Sequence, residues 1–190
     1  MRNSQAPKVV VIGGSIAGLS TGIALRCLGC LVDVYEQSPT ILRGRGGGLV
    51  VQYEMLDWMT THGIAALATL SIPGVERQFL DRQGRVIQRF ADSTPFTSWD
   101  AVFHQLRTAF PDESYHHGHE CVGLSTEAAR PMVEFASGVC VEADLVIGAD
   151  GLGSFVRHHL FPEAQPAYAG YVAWRGFSLS RWLPPAWLRR

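Results

Sequence analysis

Residues 9–22 read VVVIGGSIAGLSTG, and the change of period inside this stretch decides the fold. Lys8 to Ile12 is a continuous β-branched run, the pattern of a strand buried on both faces. Gly13 stops it. From Ile16 the spacing becomes helical and predicts Ile16, Leu19, Ile23 and Cys27 on one face, with Arg26 in the last turn and Gly29 at the position after the C-cap. Leu31 to Tyr35 reads as a second strand ending at Glu36. Strand, glycine turn, helix and strand within this span make a βαβ unit.

The turn has a definite physical task. Gly13 allows the tight bend, the middle position of the fingerprint needs a small residue so that backbone can approach a pyrophosphate, and Gly18 lets helix and strand pack closely. The middle position here is Ser15 rather than glycine. It adds one hydroxymethyl group, whose hydroxyl can donate to a phosphate oxygen, and Gly14 keeps the loop permissive. The helix N-terminus behind it offers free N–H groups and partial positive charge. Glu36, at the end of the second strand, can accept from both ribose hydroxyls of an adenosine and repels a 2′-phosphate. These residues alone leave NAD and FAD both open.

The rest of the chain continues in the same class. Residues 38–48, SPTILRGRGGG, form a glycine-rich loop; Val50 to Gln52 reads as a short strand and Glu54 to Thr61 as a helix. Residues 75–90 predict a hairpin around Asp81-Arg82-Gln83-Gly84. Ser98 is the expected N-cap of a helix carrying Val102, Leu106 and Phe110. Strands are expected at 114–123 and 132–142, the latter a hairpin about Ser137-Gly138, then a buried strand Asp144 to Ala149 and a helix Ser154 to Leu160.

Composition limits the function classes. Hydrophobic residues make up 47% and charged residues 17%, enough for a buried core, and the net charge of −1 gives no electrostatic case for nucleic acid. No run approaches the roughly 20 apolar residues of a membrane span, and Val9 to Ile12 is too short for a leader core, so the expectation is a soluble cytoplasmic protein without a membrane partner. Oligomeric state is not readable.

A second motif, DLVIGADGLGSFVR at 144–157, delivers Asp150 and Gly151 to the carboxyl end of a buried strand, where open α/β sheets bind ligands. Together, VVVIGGSIAGL, VDVYEQSP, GGGLVVQ, EADLVIGADGLGSFVR and YAGYVAWRG resemble the N-terminal half of the single-component FAD-dependent aromatic-ring hydroxylases. Within that family, GGS and the TSW at 97–99 are similar to the 2,6-dihydroxypyridine 3-hydroxylase-like group. The resemblance covers about residues 7 to 177 and implies an α/β fold. A Rossmann-type FAD-binding domain with β-hairpin insertions would occupy 1–168, and 169–190 would be the start of a truncated substrate domain with an aberrant tail.

The resemblance further implies that Gly13, Gly14, Ser15, Ile16, Ala17 and Gly18 hold the FAD pyrophosphate and that Glu36, with Gln37, holds the adenosine ribose. Arg43 and the loop Gly46-Gly47-Gly48-Leu49 would lie near the ribityl and flavin part, Val50 and Gln52 just beyond, and Asp150-Gly151 would match the family's Asp-Gly motif. The implied reaction is NADH- or NADPH-driven hydroxylation by O2 of a small electron-rich aromatic or pyridine substrate, through a flavin C4a-hydroperoxide. No nucleophile, triad or catalytic base is identifiable, as expected where the cofactor carries the chemistry. The family's downstream Gly-Asp motif is absent, so a truncated, non-catalytic remnant is one alternative and a small NAD-dependent reductase another.

Two tempting clusters read as structural. Cys27-Leu-Gly-Cys30 has redox spacing but sits at a helix C-terminus, where a thiolate gains nothing from the dipole. The YHHGHEC of 115–121 lacks a second ligand cluster with metal-site spacing and reads as strand and edge histidines, so no metal is expected.

Overall fold

The computed structural model describes residues 6–44, 47–64 and 70–172. β1 (Lys8–Ile12) leads into α1 (Ile16–Cys27), which returns to β2 (Leu31–Glu36). An excursion follows: β3 (Gly48–Val50), α2 (Tyr53–Thr61), β4 (Ile72–Pro73), the hairpin β5 (Glu76–Leu80) and β6 (Val86–Ala91), and β7 (Pro95–Ser98). α3 (Trp99–Ala109) brings the chain back to β8 (Tyr115–His117). A second excursion, β9 (Cys121–Ser125), β10 (Met132–Phe135) and β11 (Cys140–Glu142), precedes β12 (Leu145–Gly148) and α4 (Phe155–Leu160).

β1, β2, β8 and β12 form a parallel sheet in the order β12-β1-β2-β8. The chain builds outward from β1 to β8, then returns to the other flank of β1. The order therefore reverses between β1 and β12, the place where open α/β sheets leave a crevice at their carboxyl ends.

The sheet is covered on both faces, which is why β1 is apolar at every position after Lys8. Val9 and Val11 pack into a cluster with Leu19 and Ile23 of α1, Val102, Phe103 and Leu106 of α3, and Phe110. Val10 and Ile12 face the opposite cluster, with Leu124, Val133, Phe135 and Val156, where the antiparallel sheet β11-β10-β9 forms the third layer. Burying each such valine stabilises the fold by about 1.5–3 kcal/mol before chain entropy is counted.

The ends of α1 follow from its sequence. Gly29 takes φ +86°, its N–H bonds the Arg26 carbonyl at 2.9 Å, and the Cys30 N–H bonds the Leu25 carbonyl at 3.1 Å. That pair of bonds closes the helix with a left-handed residue after the C-cap. The buried face differs from the expected one: it comprises Gly18, Leu19, Gly22 and Ile23, and Cys27 is exposed. Two glycines, Gly18 and Gly22, let the helix approach Gly13 and Phe110 closely.

Other boundaries also move. The strand expected at 114–123 is two strands, broken at Gly118, whose φ is +70°. β8 joins the parallel sheet, and β9 joins the antiparallel one. The strand expected at 50–52 lies at Gly48–Val50, paired with β7, and Gln52 is the N-cap residue of α2. Ser98 caps α3 as expected, its hydroxyl accepting from the Ala101 N–H at 3.1 Å. Among the described residues no helix is long and apolar enough to cross a membrane. Tyr171 and Val172 are the last described residues, so most of the segment expected to open a second domain lies outside them.

Candidate functional site

Three strand ends meet at the reversal point. Gly13 follows β1, Glu36 ends β2, and Ala149 and Asp150 follow β12. They line one cleft of about 740 Å³, together with Ser15, Gln37, Gly151 and Ser154.

The glycine turn is shaped by contact as well as by conformation. Gly13 has φ +104°, and a β-carbon on it would stand 2.3 Å from the Ala149 carbonyl oxygen. A β-carbon on Gly18 would stand 1.8 Å from the Gly13 carbonyl oxygen. The first intrahelical bond of α1 runs from the Leu19 N–H to the Ser15 carbonyl at 2.9 Å. The N–H groups of Ile16, Ala17 and Gly18 precede it and have no partner within the helix. Ser15 is the N-cap by backbone conformation, but its hydroxyl makes no capping bond, and the first turn carries no acidic residue. A bare helix terminus beside a free hydroxyl fits an anionic phosphate.

Glu36 is 5% exposed and its carboxylate is already placed. Oε2 accepts the Gly14 N–H at 2.8 Å and Oε1 accepts the Ser38 N–H at 2.9 Å. Each oxygen keeps a further lone pair, and the residue lines the cleft. From the other side, the Tyr115 hydroxyl donates to the Gly14 carbonyl at 2.8 Å. The cleft wall thus carries the Ser15 N-cap of α1 and a fixed acceptor at the end of β2, a pair that fits a dinucleotide.

Asp150 has a structural occupation that its motif did not disclose. Its Oδ1 accepts from the Ser154 hydroxyl at 2.6 Å and its Oδ2 from the Val156 N–H at 3.1 Å. Ser154 in turn accepts the Arg157 N–H at 2.9 Å, and the Arg157 guanidinium donates to the Leu152 carbonyl at 2.6 Å. Asp150 therefore braces the start of α4, while Gly151, at φ +79°, turns the backbone along the cleft.

Of the expected glycine-turn residues Gly13 and Ser15 line this cleft, whereas Gly14, Ile16, Ala17 and Gly18 do not, and the remaining expected residues lie elsewhere. Arg43 lines a second cleft, of about 450 Å³, with Asp100, His104 and Arg107. Gly48, Leu49 and Val50 form β3 beside β7, and neither they nor Gln52 line the larger cleft. Gly46 falls outside the described residues. The structure adds residues that the sequence reading did not assign: Leu42, Trp99, His119, Glu120, Cys121, Phe155 and His158 line the larger cleft. The break at Gly118 brings residues 119–121 into its lining, and no local pattern signals that. His119 is fixed there by its N–H, which bonds the Glu36 carbonyl at 2.9 Å. Burial pushes the Cys121 thiol up to about 11, so it faces the cleft uncharged. Among the described residues no group of three His, Cys, Asp or Glu is placed to hold a metal ion.

No family model matches the chain. It is 39% identical over 170 residues to the 2,6-dihydroxypyridine 3-monooxygenase of Paenarthrobacter nicotinovorans, a match covering 89% of this chain and 42% of that protein. It is 29% identical over 184 residues to the 6-hydroxynicotinate 3-monooxygenase of Pseudomonas fluorescens, covering 90% of this chain and 48% of that one. The solved structure of 2,6-dihydroxypyridine-3-hydroxylase from Arthrobacter nicotinovorans matches with a TM-score of 0.80 at 37% identity, over 87% of this chain and 42% of that chain. A variant of Klebsiella pneumoniae HpxO complexed with FAD matches with a TM-score of 0.68 at 26% identity, over 80% and 42%. The chain spans less than half the length of these relatives. Within that span its homologues are monooxygenases and hydroxylases, one of them solved as an FAD complex, in line with the resemblance of the motifs.

Proposed function

From this homology, we propose that the chain is the FAD-binding domain of an aromatic-ring monooxygenase, with its boundary near residue 168. The observation that carries the reading is the convergence of Gly13, Glu36 and Asp150, from three different strand ends, on one cleft at the sheet's reversal point.

In this reading the N–H groups of Ile16, Ala17 and Gly18 and the Ser15 hydroxyl hold the pyrophosphate. Glu36 accepts from the adenosine ribose with the lone pairs that Gly14 and Ser38 leave free, Gln37 flanks it, and its charge rejects a 2′-phosphate. Asp150 and Gly151 meet the cofactor's ribityl or ribose hydroxyls. Arg43, Gly48, Leu49, Val50 and Gln52 are assigned to the flavin end. Bound FAD supplies the redox and oxygen chemistry, with NADH or NADPH as electron donor. The substrate class is a small, electron-rich aromatic or pyridine ring, the pyridine case being supported by the names of the two curated relatives. The chain's own part is to bind and orient the cofactor and to keep water from it.

The test is a titration of the purified chain with FAD, followed by quenching of flavin fluorescence, with NADH as competitor. Saturable FAD binding that NADH does not displace is expected. A chain that binds NADH and leaves FAD free is a nicotinamide reductase instead. Substrate-stimulated NAD(P)H oxidation then separates a turning-over enzyme from a flavin-binding chain without activity.

A further inference from the structure

Gly14 is held at both of its peptide groups. Its N–H donates to Glu36 Oε2 at 2.8 Å, and its carbonyl accepts from the Tyr115 hydroxyl at 2.8 Å. The holders stand on β2 and β8, and each is 5% exposed. Tyr115 is itself fixed: the Arg107 guanidinium carbon lies 4.4 Å from its ring centre, and Arg107 donates to the Phe110 carbonyl at 3.0 Å and to Asp112 at 2.6 Å. The fit is close enough that a β-carbon on Gly14 would stand 2.2 Å from the Tyr115 hydroxyl oxygen.

This matters because of what an unpinned glycine can do. Gly14 has the widest backbone freedom of any residue type, and the peptide that follows it can rotate. That peptide carries the Gly14 carbonyl and the Ser15 N–H, and no peptide bond of the described chain is cis. In a trans peptide the two groups point opposite ways. Holding the carbonyl on Tyr115 therefore turns the Ser15 N–H away from Tyr115, and Ser15 lines the larger cleft. The flipped peptide would present a carbonyl oxygen to the phosphates in place of a donor.

We propose that Tyr115 is a positioning residue for the phosphate-binding turn: with Glu36 it locks the two peptides flanking Gly14, so that the donors from Ser15 onward face the cleft before a ligand arrives. The inference rests on the FAD-binding reading above and names a residue that lies outside both cofactor motifs. Pre-set donors lower the ordering cost of binding. The effect falls on ligands with a pyrophosphate and spares those that reach only Glu36.

The experiment compares the full chain with Tyr115→Phe, using FAD, ADP and adenosine as probes well below the melting temperature. Loss of one buried hydrogen bond predicts that FAD and ADP weaken about fivefold while adenosine changes less than about twofold. Equal FAD affinity in both proteins overturns the proposal, and so does an equal loss for adenosine and ADP, which a general structural role would give. A wild-type chain that binds neither FAD nor ADP instead sinks the FAD-binding reading itself. If Tyr115→Phe does not fold, the Tyr115 hydroxyl proton of the unliganded wild-type chain decides by NMR. Slow exchange of that proton with solvent supports the clasp, and exchange as fast as that of an exposed tyrosine overturns it.

Discussion

A β-carbon on Gly18 would sit 1.8 Å from the carbonyl oxygen of Gly13, so the turn and the helix that follows it share one packing constraint. Gly18→Ala must push α1 away from β1. Forcing a methyl group into packed backbone costs typically about 1–3 kcal/mol. Urea denaturation of this variant is expected to show a loss in that range together with weakened FAD binding. A midpoint equal to wild type would mean that α1 slides freely over the sheet.

Glu36→Gln separates charge from shape. The carboxylate accepts two backbone N–H groups, from Gly14 and Ser38. A glutamine offers one acceptor oxygen and one NH2, so one of those donors is left facing another donor in a buried site. The expected loss is about 1–3 kcal/mol, and FAD affinity falls with it. Thermal melting and flavin titration on the same preparation measure both, and an unchanged melting temperature would contradict the burial of this carboxylate.

Cys121 gives a prediction with a pH sign. Burial raises its thiol from 9.0 to about 11, so the folded state holds this proton more firmly than the unfolded one. The stability from this group is complete below the unfolded value and fades as pH climbs toward the folded one. Near neutral pH the thiol is protonated and slow to react. Timed maleimide labelling read by mass spectrometry should modify the exposed Cys27 and Cys140 well before Cys121. FAD should slow Cys121 further, because that residue lines the larger cleft.

Ser154→Ala tests the brace around the second motif. The hydroxyl caps α4 through the Arg157 N–H and donates to Asp150. Removing a helix cap costs about 1 kcal/mol. A drop of that size in a denaturant melt is expected, and no drop would show that Asp150 orders α4 without Ser154.

What the sequence made legible was local. The β1 run, the period change at Ile16 and the Gly29 terminator each act over a few residues, and the structure reproduces them. The cap at Ser98 behaves the same way. What escaped depends on partners distant in the chain. Tyr115 reaches Gly14 across 101 positions, and no pattern in either stretch announces the other. Cys27 sits where a helical face predicts burial, yet the packed face of α1 stops at Ile23 and Cys27 is exposed. The segment 114–123 looks like one strand because nothing in its polarity reveals that Gly118 hands the chain from one sheet to another. Arg43 and Gly48 to Val50 could be ordered along the chain, whereas their separation from the larger cleft is a matter of tertiary geometry.

The strand pairing of the parallel sheet has a consequence for mutagenesis. Ile12 is aligned with Tyr35 on one side and with Gly148 on the other. Those alignments set how far Gly13, Glu36 and Asp150 stand from one another, since each follows or ends a strand. One residue of slippage would carry a strand end about 3.3 Å along the sheet and turn its side chains to the other face. The accuracy of the cleft is thus inherited from backbone alignment deep in the molecule, and side chains at its rim cannot correct an error made there. Core residues such as Val10 and Val34, which line neither cleft, would then behave in a binding screen as though they did.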